Sequence, residues 1–373
     1  MSKVTATGSF NEPLEPSGMV QALADARFSV EAKAMVAQGL YTGLAQEVST
    51  VIPLKDAVLP NLEPLRQLLN AGWGEELGRY LKVLEVCGSS ADEALRKVQI
   101  AVRSGTALFA AGHLATDSGT QCFLSIHHGL ADEHSLQILA RLLQAEDSDS
   151  ALAQMRQGHG FYEAYVQAQA RPEQTAPGGS LPTAPPMTPV RLLQTGRLAF
   201  DAQRPRMSLQ RTLDVAASNA DKHPMATLLA YLQRAGVIAE GNTLCSSRDW
   251  RPAQQQDAIG MMTGLVPLSL APLQAPLFPG QTSLEARARR CPAARQALDC
   301  CRTSELFING AAKRGIPASQ VMSATFPVGI EIRRTGPAQW FLEIEGPFCD
   351  AAGATNLINE LADVLMDRSE WND

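Results

Sequence analysis

The sequence predicts a mixed α/β protein built in two halves. Its 373 residues are about 2.5 times the ~150 residues that an average domain takes, so the chain holds two structural units or one large α/β body. Helical periodicities alternate with strand-like apolar runs throughout. Near the middle, RPEQTAPGGSLPTAPPMTP (171–189) concentrates proline and glycine, which restrict or loosen the backbone without filling a core. This division predicts an N-terminal unit over 1–170, a linker or crossover over 171–189, and a C-terminal unit over 190–373.

The elements follow from the chain in order. The residues up to Pro16 read as an irregular polar arm, and Gly18 to Glu47 carries alanine-rich segments with helical character. Leu62 to Arg79 has leucines at helical spacing, interrupted by Gly72 and Gly74. YLKVLEV, Tyr80 to Val86, reads as a strand bounded by CGSS. Ser90 with Glu93 has capping-box spacing and predicts a helix through Val102. Strands are expected at Thr106 to Ala110 and at Gln121 to His127, separated by the turn TDSG, and a helix with an apolar face from Leu136 through Leu143. Asp132 stands at that helix's start and is a candidate cap.

In the second half, VRLLQTGRLAF (190–200) looks strand-like and Met225 to Arg234 helical. Strands are expected at Leu306 to Ile308, Val328 to Ile332 and Trp340 to Ile344. The last helix, Ala354 to Met366, aligns Leu357, Ile358, Leu361, Val364 and Leu365 in one stripe.

Composition narrows the function classes. Hydrophobic residues are 45% of the chain and charged ones 19%, a globular rather than disordered balance. A net charge of -6 offers no broad basic face for a phosphate backbone or an anionic membrane, which points to small or protein partners and not nucleic acid. The longest apolar stretch, Ile259 to Leu277, is broken by Gly264, Pro267, Ser269, Pro272 and Pro276 and makes a poor membrane span. The seven cysteines show no C-x-x-C pair, and the start shows no secretion signal; they read as reduced thiols in a cytoplasmic protein.

Titratable residues gather in one place. His127, His128, Asp132, Glu133 and His134 follow directly on an apolar strand. Adjacent strand side chains point to opposite faces, so the two histidines serve one pocket only if the strand ends between them; one works and the other supports. A histidine able to take and return a proton suits deprotonation of an amine or alcohol attacking an acyl group. A buried structural cluster capped by Asp132 is the competing reading. Metal binding by His128, Asp132 and His134 lacks the usual ligand spacings. His113, His159 and His223 are isolated and read as satisfied polar residues, although His113 follows a strand and can approach the same site. Cys122 lies on the strand feeding the histidines, but no nucleophile elbow or phosphate loop accompanies it.

FLSIHHGLADEHS resembles the HHxxxDG signature of the condensation-domain superfamily of nonribosomal peptide synthetases and chloramphenicol-acetyltransferase-like acyltransferases. The resemblance implies two acetyltransferase-like subdomains in a V-shaped fold. It makes His127 the first histidine, His128 the one at the reaction centre, and Asp132 a structural aspartate that pairs with an arginine. CSSRDW, Cys245 to Trp250, looks like the family's "sGR" segment and makes Arg248 that partner. IGMMTGLVPLSL, Ile259 to Leu270, is similar to the following segment, with Gly260, Gly264 and Pro267 as its recognisable parts, and the terminal WFLEIEGPFCDAAGATNLINELADVLM resembles the closing strand and helix. Coverage runs from about Tyr80 to Arg368. Glu133 stands where the family has glycine, and the family's asparagine-threonine pair is replaced around Thr263 to Leu265.

The resemblance further implies a free-standing acyltransferase. A thioester on the phosphopantetheine arm of an acyl or peptidyl carrier protein, or an acyl-CoA, is the donor, and a small amine or alcohol the acceptor, with no metal and no tightly bound cofactor. His128 orients or deprotonates the acceptor, a backbone N–H near Gly129 stabilises the oxyanion, and Asp132 with Arg248 holds the loop. Glu133 and His134 are positioned to modulate the base. Two alternatives follow from the departures: a catalytically silent scaffold that binds a carrier or synthetase, and dehydration, cyclisation or epimerisation of a carrier-bound intermediate with His128 and Glu133 as an acid–base pair.

Overall fold

The computed structural model describes residues 19, 23, 26–42, 47–54, 61–86, 90–116, 119–170, 187–192, 199–201, 207–214, 225–239, 241–269, 283–289, 291–311, 326–336 and 338–366. The expected polar arm, Cys87, His223 and most of the 171–189 linker lie outside them. The chain divides into two compact units.

The first unit is made of the chain up to Ala170 together with Arg251–Met262. Its described elements are α1 (Val30–Thr42), β1 (Glu47–Leu54), α2 (Glu63–Gly72), β2 (Leu81–Glu85), α3 (Ala91–Arg103), β3 (Phe109–Thr116), β4 (Gly119–His127), α4 (Glu133–Leu142) and α5 (Ser148–Ala170). The strands form one sheet in the order β1-β4-β3-β2. β4 pairs antiparallel with β1 and β3, and β2 parallel with β3. Because side chains alternate across a strand, β4 feeds two cores. Cys122, Leu124 and Ile126 join Leu136 and Leu139 of α4, while Phe123 joins Val98 and Val102 of α3. Covered on both faces and paired on both edges, β4 is a rigid mount for whatever follows it.

Local chemistry explains the boundaries. Ser90 Oγ accepts the Glu93 N–H at 3.2 Å and starts α3. That helix ends by folding the N–H groups of Thr106 and Ala107 back onto the Ala101 carbonyl. These residues are thereby taken from the strand expected at Thr106 to Ala110, and β3 begins at Phe109 and runs on through Thr116. Two elements of this unit, β1 and α5, were missed by the sequence reading. β1 is announced by β-branched residues in EVSTVIPL. α5 buries only scattered positions along 23 residues and shows no clean apolar stripe. Arg251–Met262 joins this unit although 190–373 was expected to form one continuous domain, because its buried arginine belongs to the site built on α4.

The second unit contains β5 (Thr188–Pro189), β6 (Met207–Asp214), α6 (Met225–Arg234), β7 (Asn242–Asp249), β8 (Thr263–Ser269), α7 (Leu284–Ala288), α8 (Pro292–Arg302), β9 (Leu306–Ala311), β10 (Val328–Gly336), β11 (Gln339–Gly346) and α9 (Ala351–Met366). Its sheet runs β5-β7-β9-β10-β11-β6, with β8 also paired to β7. Thr188 and Pro189, expected in the linker, pair with Asn242 and Thr243 of β7. Val190 to Leu192 are not strand; Val190 and Leu192 instead enter the core. One sheet face, with Ile330, Ile332, Leu342 and Ile344, packs on Leu228 and Leu232 of α6 and Leu357 and Leu361 of α9.

No helix among the described residues is long and apolar enough to cross a membrane. The described cysteines are free thiols. Burial pushes the Cys122 thiol up to about 12, so at neutral pH it is protonated and packs as a small apolar group.

His159 of α5 is a buried histidine with an electrostatic cost. Its ring meets Trp73 edge-on at a centroid distance of 4.3 Å and fills the space beside Gly72, where a Cβ would come within 2.8 Å of it. Burial, with a smaller contribution from Arg27, lowers its pKa from 6.5 to about 4. The unfolded chain therefore binds the extra proton first as pH falls, and stability drops through that window. The unfolding free energy should decline between pH 6.5 and 4, by about 1 kcal/mol per pH unit from this residue; denaturant melts of wild type and His159→Asn should show a shallower slope in the variant.

Candidate active site

β4 ends at His127 and the chain turns at once, which answers the alternation problem posed by adjacent histidines. The His127 N–H donates to the Leu108 carbonyl at 2.8 Å, the last tie to the sheet. The Leu130 N–H then donates to the His127 carbonyl at 2.9 Å and closes the turn. Gly129 is required there by close approach: a Cβ would lie 2.8 Å from Val36 Cγ2 and 3.1 Å from His127 Nδ1.

The two imidazoles have different jobs. His127 is buried, and its Nδ1 accepts the Gly129 N–H at 3.0 Å, which puts its own proton on Nε2. Burial, with a smaller contribution from the neighbouring His128, lowers its pKa to about 4; it is a neutral structural acceptor. His128 is half-buried, with Nδ1 3.1 Å from the Ala131 carbonyl oxygen. A carbonyl only accepts, so Nδ1 carries the proton and Nε2 the lone pair. Burial lowers the His128 pKa below 6.5, against the Ala131 carbonyl and the Asp132 charge, which raise it. Burial thus favours the neutral imidazole at His128, with its tautomer fixed.

The loop is held by a buried ion pair. Asp132 caps α4, its Oδ1 accepting the Ser135 N–H at 3.0 Å. Arg251 grips the carboxylate with both terminal nitrogens, Nη1 to Oδ2 at 2.8 Å and Nη2 to Oδ1 at 2.7 Å; the two side chains are 0% and 2% exposed. The Met262 N–H donates to Oδ2 at 3.1 Å. Burial pushes the Asp132 carboxyl up, but the Arg251 charge and these donors outweigh it and hold it well below the usual carboxylate range.

The arginine reaches further. It donates from Nε to the Ala258 carbonyl at 3.0 Å and from Nη2 to the Gly260 carbonyl at 3.0 Å and the Ser135 hydroxyl at 2.6 Å. Ser135 Oγ also accepts the Gly260 N–H at 3.0 Å. Gly260 packs so close to Tyr162 that a Cβ would lie 2.2 Å from its ring.

Several expectations are corrected by this geometry. The partner of Asp132 is Arg251, not Arg248. Arg248 lies on β7 in the other unit with its side chain exposed, and its guanidinium stacks 4.9 Å over the Trp250 ring. The Gly129 N–H is committed to His127 and the Leu130 N–H to the His127 carbonyl, so neither serves as the expected oxyanion donor. His113 does not approach the cluster: it sits on β3 opposite Cys122, five positions back along β4 from His127.

The remaining members are placed on α4. Glu133 is its first residue, half-buried, where its charge favours the helix N-terminus. His134 Nε2 donates to the Gln256 carbonyl at 2.6 Å and clips the Arg251–Met262 segment to the helix. Among the described residues, no cluster of His, Cys, Asp or Glu has the arrangement of a metal site. Arg251 and Ser135 were missed by the sequence reading. The signals present were a second arginine three positions after Arg248, and a serine three positions after the cap at Asp132.

Replacing one partner of a buried pair leaves the other charge uncompensated. Arg251→Ala should cost about 3–5 kcal/mol of stability, and Arg248→Ala, at an exposed stacking position, about 1 kcal/mol or less. Denaturant melts of the two variants distinguish the partners; the reverse order would refute the Asp132–Arg251 assignment.

No protein-family model and no curated protein matches the sequence. Solved structures do. The starter condensation domain of rhizomide synthetase RzmA, a histidine-to-alanine and arginine-to-alanine double variant in complex with C8-CoA and Leu-SNAC, aligns with a TM-score of 0.55 at 12% identity, over 96% of this chain and 98% of that one. The condensation domain of the Monacolin K polyketide synthase MokA aligns with a TM-score of 0.53 at 10% identity, over 91% of this chain and 96% of that one. Across almost its whole length, and at low sequence identity, this chain has the condensation-domain fold.

Proposed function

We propose that the protein is a condensation-type acyltransferase that moves an acyl group from a thioester to an amine or alcohol in specialised metabolite biosynthesis. The observation that carries this reading is the contact between His128 Nδ1 and the Ala131 carbonyl, which leaves Nε2 as a free, unprotonated base on a rigid mount. The donor is a thioester on a carrier protein's phosphopantetheine arm or on coenzyme A; the C8-CoA bound by the rhizomide starter domain supports a CoA thioester.

In the reaction, the acceptor's N–H or O–H donates to His128 Nε2 and its nitrogen or oxygen attacks the thioester carbonyl. The new C–N or C–O bond forms, His128 takes the proton, and collapse of the tetrahedral adduct breaks the C–S bond. The proton then passes to the departing thiolate, restoring the neutral imidazole. His127, neutral and bonded to the turn, shapes the loop rather than moving protons. Asp132 stays ionised against Arg251 and fixes the turn whose carbonyl sets the His128 tautomer, a positioning role. Glu133 adds a carboxylate where the resembled motif has glycine, next to the residue that caps the helix.

Intact-mass spectrometry of acyl-loaded carrier proteins and acyl-CoAs with pooled amine and alcohol acceptors tests the reading. Wild type should form an amide or ester, and His128→Ala should lower turnover by about 10²–10⁴-fold. The acid limb of kcat/KM should lie below 6.5, because the base must be neutral and burial lowers its pKa. Carrier capture without any mass change would shift the reading to a silent scaffold; loss of mass from a bound intermediate would shift it to dehydration or cyclisation.

A further inference from the structure

One of the ties on Asp132 leads to a serine outside the reaction. The Met262 N–H that donates to Asp132 Oδ2 at 3.1 Å belongs to the same peptide group as the Met261 carbonyl, which accepts from Ser29 Oγ at 2.9 Å. A peptide group is planar, so its C=O and N–H cannot turn independently. A hydrogen bond at one end also strengthens the bond at the other, because each polarises the shared amide. A single peptide therefore stands between the Ser29 hydroxyl and the Asp132 carboxylate.

Ser29 also caps α1. It is buried, its Oγ accepts the Ala32 N–H at 3.1 Å, and its own N–H donates to the Tyr162 hydroxyl of α5 at 2.9 Å. The Val30 N–H donates to Gln169 Oε1 at 2.9 Å, and Gln169 Nε2 donates to both Glu31 oxygens at 2.8 Å. The start of α1 is thereby fixed. About two helical turns further along the same face, Val36 stands against Gly129, its Cγ2 being the atom that a Gly129 Cβ would meet at 2.8 Å. One residue thus holds the turn that carries His128 at both ends, at Gly129 through α1 and at Asp132 through the Met261–Met262 peptide. A hydroxyl suits this place because it accepts and donates at once; a carboxylate only accepts, and alanine does neither.

We propose that Ser29 is a positioning residue for the base at His128, setting through these two arms the place of the Ala131 carbonyl that fixes the His128 tautomer. The assignment rests on the reaction proposed above. Ala131 lies between the two held points, Gly129 and Asp132, and its carbonyl oxygen has to stay near its 3.1 Å from His128 Nδ1 for Nε2 to keep the lone pair. Releasing either end lets that carbonyl move away, and the proton is then no longer locked on Nδ1. Ser29 is withdrawn from solvent and touches no substrate, so its loss falls on turnover rather than on KM.

Ser29→Ala in the full chain tests the assignment, with Ser90→Ala, which removes the cap of α3 in the same unit, as the control. Both should lower the melting temperature, each having lost one N-cap. Only Ser29→Ala should lower kcat, by about tenfold, the worth of one buried hydrogen bond, with KM within about twofold of wild type. Nitrogen NMR of protein labelled at histidine should show His128 as the Nδ1–H form alone in wild type and Ser90→Ala, and as a mixture of both tautomers in Ser29→Ala. Ser29→Thr, which keeps the hydroxyl, should restore the single form. A folded Ser29→Ala with the wild-type tautomer overturns the proposal, as does an equal loss of kcat in Ser90→Ala. Should Ser29→Ala fail to fold, Ser29→Cys, which fills the space with a weak donor, is read by the same criterion. The NMR readout needs no substrate, so a wild type without turnover would count against the acyltransferase reading alone, and the tautomer would still decide the role of Ser29.

Discussion

The site rests on one buried ion pair. Asp132 and Arg251 lie 119 positions apart in the chain and are both withdrawn from water. Such withdrawal costs several kcal/mol per charge, offset only when the geometry is good and the remaining donors and acceptors find partners. Here they do: the carboxylate takes the helix-capping N–H of Ser135 and the N–H of Met262, while the guanidinium takes the carbonyls of Ala258 and Gly260. The pair therefore orders more than two side chains. It fixes the start of α4, the loop before it, and a segment from far along the chain, and the turn that carries His128 inherits its rigidity from all three.

Electrostatics within the turn separate two residues of identical chemistry. Both histidines are pushed toward the neutral form by burial, yet their Nδ1 atoms meet opposite partners: an N–H at His127 and a carbonyl at His128. Those partners impose opposite tautomers. The first imidazole spends its lone pair on the backbone; the second keeps its own at Nε2. At His128 burial outweighs the Asp132 charge and the Ala131 carbonyl, which pull its pKa the other way.

The cluster itself was legible in the sequence, since polar residues at the end of an apolar strand have few reasons to be adjacent, and Asp132 stood where a cap is needed. Helices with a clean apolar stripe, such as α9, and strands with β-branched runs, such as β10, were legible for the same local reason. What was not legible depended on distance. Choosing between Arg248 and Arg251 required knowing that β7 ends at Asp249, so that Arg248 lies along a strand edge while Arg251 lies in the segment that turns back to α4. The role of the Gly129 N–H required knowing that His127 folds over its own turn. α5 went unread because its buried His159 and Tyr162 answer to Trp73, far back in the chain, rather than to a stripe.

The chain order of the first unit carries a consequence for synthesis. Everything up to Ala170 leaves the ribosome well before Arg251–Met262 does, and until then Asp132 faces burial without its counter-ion. An isolated carboxylate in an apolar interior neutralises or stays hydrated. The nascent first unit is thus held short of its final packing while some eighty further residues are translated, and a gene fragment ending at the apparent boundary near Ala170 would encode a protein arrested at that same point.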